Sequence, residues 1–398
     1  MAVLEPRTEV ELEGRVLPLH GSYDERFAPV VEAFVENYRV EEEVGSAVSV
    51  VVDGETVIDV WGGWTDETRE REWERDTLVC MMSVAKGITA IAFNMLVDRG
   101  LVDLDAPVAQ YWPEFAQNGK ETLPVRYLLD HRAGLPALTG DNKLWPGAMY
   151  DREAMVEALA RQAPLWEPGT VSAYHVHTQG YLLGEIMRRV DGRLVGPFVR
   201  DEIAGPLGAD YWMGIPKSEH GRISPLIPNT GPKILSAQSA EEEDSLRVLA
   251  FAQNPPGTWG EMVNSTEWRE MEMPSGSGHG NARAVARIYG ALAAGEVDGI
   301  RLLSEDAIDT MTTMQHDQIE LLQDRHYRQG LGVLLNSPDA VYMGPHPEAF
   351  GHHGIGGSIG FADRRERLGF SYSMNKMHGV GHNGPRARRL IDAVFECL

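Results

Sequence analysis

Strand-like and helix-like periodicity are unevenly distributed along this chain, and that distribution limits the folds open to it. Residues 47–52 and 56–60 are β-branched runs joined through Asp53-Gly54, a dipeptide that tolerates the positive φ of a tight hairpin turn. Toward the other end, 331–335, 357–361 and 368–374 again read as strands, and 386–395 as a closing helix. Between them, 125–131, 152–162 and 179–190 carry helical spacing and are separated by loops rich in Pro and Gly. The simplest architecture is an α+β fold. Residues 1–103 and 281–398 are expected to build one sheet from both chain ends, flanked by helices, with 104–280 as a mostly helical insert. A first amphipathic helix is expected over 24–38, where Phe27, Val30, Val31, Phe34 and Val35 share a face.

The charge balance narrows the partners. With 36 Lys and Arg against 59 Asp and Glu, the formal charge is −23, which repels phosphate backbones and anionic lipid. Neither a nucleic acid nor a membrane surface is expected as a partner, and the same long-range repulsion disfavours anionic substrates. The two cysteines, Cys80 and Cys397, make neither a disulfide framework nor a metal clip, and Cys80 reads as a packing residue. The N-terminal residues lack the basic and apolar regions of a secretory signal, so a cytoplasmic location is expected. The acidic run at 241–244 reads as a solvated loop.

Chemistry enters at Ser83-Val84-Ala85-Lys86, the head of a helix whose apolar face repeats through Ile88, Ile91, Ala92, Met95 and Leu96 before Gly100 stops it. A three-residue step puts the serine hydroxyl and the lysine amine on one helix face, within hydrogen-bond reach. Burial and the positive end of the helix dipole both disfavour the ammonium, so the lysine can become the base a serine nucleophile needs. The helix N-terminus also leaves the serine amide free to bind an oxyanion. The plainer alternative is a helix-capping serine and a solvated lysine.

Two further segments accompany this pair. One is a Pro-Gly loop, Glu167-Pro168-Gly169, leading to Tyr174-His175-Val176-His177; the other is Phe350-Gly351-His352-His353-Gly354-Ile355-Gly356-Gly357-Ser358. With Leu128-Leu129-Asp130-His131-Arg132-Ala133-Gly134, and in this order, the chain resembles the serine β-lactamase and penicillin-recognising superfamily, most closely the class C-like branch that includes the family VIII carboxylesterases. The resemblance implies a β-lactamase-like fold, Ser83 as the acylated nucleophile, Lys86 as its base partner and Tyr174 as the proton shuttle. It places His352-His353-Gly354 on the edge strand where the family has Lys-Thr-Gly, with the amide of Ile355 as the second oxyanion donor. It implies no metal and no organic cofactor. Two departures favour a neutral ester over a β-lactam: Val176 stands where β-lactamases have Asn, and His352 stands where they have a lysine.

The expected activity is therefore that of a serine hydrolase cleaving small-molecule carboxylic esters through an acyl-enzyme on Ser83. An amidase, a peptidase, an acyltransferase or a weak β-lactamase of the same fold is the nearest alternative. A non-catalytic relative that binds acyl ligands is the alternative of another class. Gly356-Gly357-Ser358-Ile359-Gly360 spells a nucleophile elbow, but the residues after it read as strand where that device needs a helix, so Ser358 is taken as structural. His175, His177, His352 and His353 read as hydrogen-bonded residues near the pocket rather than metal ligands. His131 is expected to fix a helix end. Trp145, Trp166 and Trp259 are assigned to core or loop packing as readily as to the wall of an acyl pocket.

Overall fold

The computed structural model describes residues 2–4, 11–12, 15–229, 245–252, 259–379 and 382–398. Its centre is a ten-stranded sheet whose neighbouring strands are all antiparallel. In spatial order the strands are Ala2–Leu4, Leu19–Tyr23, Glu55–Gly63, Gly45–Val52, Leu368–Met374, Ile359–Asp363, Phe350–His353, Leu334–Leu335, Arg325–Gln329 and His316–Glu320. The central seam pairs Gly45–Val52 with Leu368–Met374, so the sheet closes between the two chain ends. The expected hairpin forms at Asp53 and Gly54, whose φ values of 51° and 82° match the left-handed pair that a two-residue turn requires.

Alternation along the strands sorts their side chains between two cores. Val48, Val50, Ile359, Phe361, Phe370 and Tyr372 face the helices Ala28–Val40 and Gly384–Cys397. Val51, Phe350 and Ala362 face the other way, toward the helices Val84–Asp98 and Ala282–Ala294. The second of these helices was not anticipated, although Asn281 caps it through the Ala284 amide and Gly295 ends it with φ 86°. It lies against the sheet because Gly369 is bare: a Cβ there would meet the Gly290 nitrogen at 2.2 Å.

Sequence and structure part company mainly at one edge. The run read at 331–335 is strand only at Leu334–Leu335, and the hairpin His316–Glu320 with Arg325–Gln329 was missed. Within 104–280 lie the helices Arg152–Arg161 and Thr178–Asp191, and also the strand Tyr211–Met213, which joins Val79–Cys80 and Gly278–Gly280 in a small second sheet. That small sheet anchors the residues just before Ser83. The acidic run at 241–244 falls outside the described residues, as does the side chain of Trp259. Among the described residues no helix is long and apolar enough to cross a membrane.

Candidate active site

Ser83 sits where a strand is forced directly into a helix. Val79–Cys80 pairs with Gly278–Gly280, Met82 takes a left-handed φ of 51°, and the first helical turn closes with the Val84, Ala85 and Lys86 amides donating to Met81, Met82 and Ser83. Ser83 makes no capping hydrogen bond with its side chain. From Val84 to Leu96 every residue is buried, Lys86 among them at 2% exposure, so the helix is central and its lysine is not a solvated one. Both halves of the plainer reading therefore fail.

The amine of Lys86 has three polar neighbours. It donates to the Val176 carbonyl at 2.7 Å and to the Ser275 carbonyl at 2.8 Å, and lies 3.5 Å from Ser83 Oγ. Burial pushes its pKa well below the usual lysine range. A neutral amine has two hydrogens and one lone pair. The two carbonyls take the hydrogens, and the lone pair is left facing the serine.

Tyr174 packs its ring 4.7 Å from the same amine and its phenol hydrogen-bonds with Ser83. Burial raises its pKa far above the usual tyrosine value, with the Ser83 hydrogen bond only partly opposing this, so the phenol keeps its proton. Its loop is fastened by Glu320, whose carboxylate accepts from the amides of Tyr174, Leu322 and Gln323 at 2.5, 3.0 and 2.7 Å. His131, at φ 64°, accepts from the His175 amide at Nδ1 and meets the Tyr174 ring edge-on at 5.0 Å. It thus joins two segments of the site wall rather than simply ending a helix.

The strand Phe350–His353 delivers the remaining wall; it is an interior strand of the sheet, paired on both sides, and not the expected edge strand. His352 stacks on Tyr174 with centroids 6.2 Å apart, and its Nδ1–H donates to the His353 carbonyl at 2.7 Å. Burial, then His353 and Lys86, push its pKa well down, so it stays neutral. Gly354 does not line the cleft; it lets the chain reach the nucleophile turn, since a Cβ there would meet the Met81 carbonyl oxygen at 2.2 Å. That approach brings Ile355 into the same cleft as Ser83, and among the described residues neither of their amides donates to a backbone carbonyl. Gly354→Ala is expected to cost about 1–3 kcal/mol of stability by overpacking, which thermal melts check.

The cleft encloses about 1040 Å³, open solvent at its mouth included, with Ser83, Tyr174, Val176, His352, Trp268 and Ile355 in its wall. Arg247 and Arg325 also line it. The wall therefore carries arginines, although position 352, where β-lactamases have a lysine, holds a neutral histidine. Neither arginine was read as functional in the sequence, because the strand that carries Arg325 alternates polar residues. Ser275 and Glu320 were missed as well, and they act here through a backbone carbonyl and through backbone amides.

The competing motifs do not assemble. Ser358 is 1% exposed and runs straight into the strand Ile359–Asp363, so no elbow forms. In His175, Nδ1–H donates to the Ala173 carbonyl and Nε2 accepts from the Leu135 amide, so both ring nitrogens are spent, and burial pushes the pKa down to about 4. His177 faces the Phe251 carbonyl and is likewise pushed down to about 4 by burial. Among the described residues no group of three His, Cys, Asp or Glu could hold a metal ion. Cys80 is buried and accepts from the Trp268 indole N–H at 3.4 Å, its thiol pKa raised by burial. Trp145 is exposed, and Trp166 packs in a small cluster with Ala173 and Val176.

Comparison with known proteins agrees with this geometry. The Beta-lactamase family model matches residues 28–395. The chain is 35% identical over 367 residues to the esterase/beta-lactamase LipL of Mycobacterium tuberculosis, covering 90% of this chain and 83% of that protein. The crystal structure of a family VIII carboxylesterase, 37% identical, has a TM-score of 0.88 over 96% of this chain and 100% of its own. A penicillin-binding protein homologue from Caulobacter crescentus, also 37% identical, has a TM-score of 0.86 with the same coverage. Likeness of this extent, reaching across the sheet, the helices and the serine–lysine turn alike, places the chain: it belongs to the beta-lactamase family.

Proposed function

We propose that the protein is a carboxylesterase that works through an acyl-enzyme on Ser83. The observation that carries this reading is the Lys86 amine, whose two carbonyl partners leave its lone pair directed at Ser83 Oγ. Ser83 attacks the ester carbonyl and passes its proton to Lys86. The carbonyl oxygen becomes an oxyanion held by the amides of Ser83 and Ile355. As the intermediate collapses, the Tyr174 phenol gives its proton to the departing alcohol oxygen and regains one from the Lys86 ammonium. Water then attacks the acyl-enzyme, its proton leaving by the same route, and Ser83 is restored.

Preference for esters over β-lactams is supported by Val176, which offers the cleft an apolar side chain and has its carbonyl occupied by Lys86. The neutral His352 adds to this. Short p-nitrophenyl esters are expected to be hydrolysed with a kcat/KM at least 100-fold above that of nitrocefin, the equivalent of about 2.7 kcal/mol in transition-state binding. Comparable values for the two would overturn the ester preference.

A further inference from the structure

Among the described residues of the cleft wall, Arg325 is a positive group that the ester mechanism leaves unused. Arg325 opens the strand Arg325–Gln329, at the edge hairpin, and its side chain reaches the wall that also carries Ile355 and His353. Its Nη1 is fully buried without a hydrogen-bond partner, and among the described residues no carboxylate pairs with the guanidinium. The obvious candidate is Glu320, its partner in the hairpin register, but that carboxylate is taken by the amides of Tyr174, Leu322 and Gln323. The Tyr327 phenol hydrogen-bonds with the guanidinium, which leaves the fork only partly satisfied.

His353 lines the same cleft, and burial, then the nearness of the Arg325 charge, hold its ring neutral. Buried donors lacking an acceptor are costly, and a guanidinium is the side chain best shaped to take a carboxylate through paired N–H groups. Low-dielectric walls focus the field of such a group, which lets it act on a bound anion despite a net charge of −23 over the whole molecule.

We infer that the cleft selects esters carrying a free carboxylate remote from the scissile bond, and that Arg325 receives that carboxylate. The inference rests on the esterase reading above and adds its substrate class. It reverses the expectation, drawn from net charge, that anionic substrates are disfavoured.

The test compares charged and neutral esters of equal length. Mono-p-nitrophenyl glutarate against p-nitrophenyl valerate places the carboxylate on the acyl side; 4-carboxyphenyl butyrate against 4-carbamoylphenyl butyrate places it on the alcohol side. In at least one pair the charged ester is expected to have a KM about tenfold lower, with the ratio collapsing in Arg325→Met and partly retained in Arg325→Lys. Free glutarate should compete with the neutral ester in the unmutated protein, a readout independent of how the variants fold. Neutral esters hydrolysed while neither charged ester is preferred and glutarate does not compete, or a preference unchanged in Arg325→Met, would overturn the inference and leave the esterase reading intact. Hydrolysis of no ester at all would overturn the esterase reading itself.

Discussion

Ser83→Ala is expected to lower kcat for p-nitrophenyl ester hydrolysis by roughly 10⁴-fold or more, which is what removal of a covalent nucleophile costs in an assembled site. The substitution leaves the fold alone, because the Ser83 side chain makes no capping bond and sits at the only part-exposed position between Leu78 and Leu96. KM should change little, since the walls of the cleft remain. Ser358→Ala is the matching control. Its hydroxyl is buried, lacks a hydrogen-bond partner and lies outside the cleft wall, so the ester activity is expected to survive. Loss of activity in the second variant rather than the first would transfer the nucleophile to Ser358.

Lys86→Met carries the second large effect, a fall in kcat/KM on the order of 10³-fold, the usual range for loss of a positioned general base. Its signature is in the pH dependence. The neutral amine is the working form, so activity is lost as the pH falls through the Lys86 pKa, which burial has brought well below the ordinary ~10.4 of lysine. Histidines do not imitate this limb, because burial holds His131, His175 and His352 below their usual values and neutral. Nor does Tyr174 add an alkaline limb near the ordinary ~10 of tyrosine, since its pKa is raised above that. The acid limb is expected in the unmutated enzyme and absent from the residual activity of Lys86→Met. A limb that persists unchanged in the variant would assign it to another group.

Some of this was legible in the residues and some was not, for physical reasons. Asp53-Gly54 announced its hairpin because few dipeptides accept two positive φ values in succession. The helix after Ser83 announced itself by an apolar face that recurs with helical period. The helix Ala282–Ala294 bore equally plain signs in its Asn cap, its glycine stop and Val285, Ile288 and Leu292 at helical spacing, and was passed over all the same. The hairpin of residues 316–329 is a different case. It lies at the sheet edge, where Ile319 is 64% exposed and polar side chains alternate with one another, so there was no hydrophobic period to detect. Arg325 and Glu320 went unseen for that reason.

The site shows the same division. Ser83, Lys86 and Tyr174 could be named because the chemistry depends on their side chains. The partners that tune Lys86 are the carbonyls of Val176 and Ser275, groups that every residue possesses, and only the folded chain brings them to the amine. Val176 is instructive here. As a side chain it marked the absence of an amide found in β-lactamases; as a backbone it turns out to hold the base. Position 352 was legible as a histidine where β-lactamases have a lysine, whereas what holds it neutral in this fold is burial, reinforced by His353 and Lys86.

The central claim is a covalent acyl-enzyme on one serine, and trapping it is the direct test. A fluorophosphonate probe, with intact mass and peptide mapping as the readout, is expected to give a single stoichiometric adduct on the peptide that contains Ser83, and none in Ser83→Ala. An adduct on the peptide containing Ser358, or steady ester hydrolysis by a protein that the probe neither modifies nor inhibits, would contradict the account.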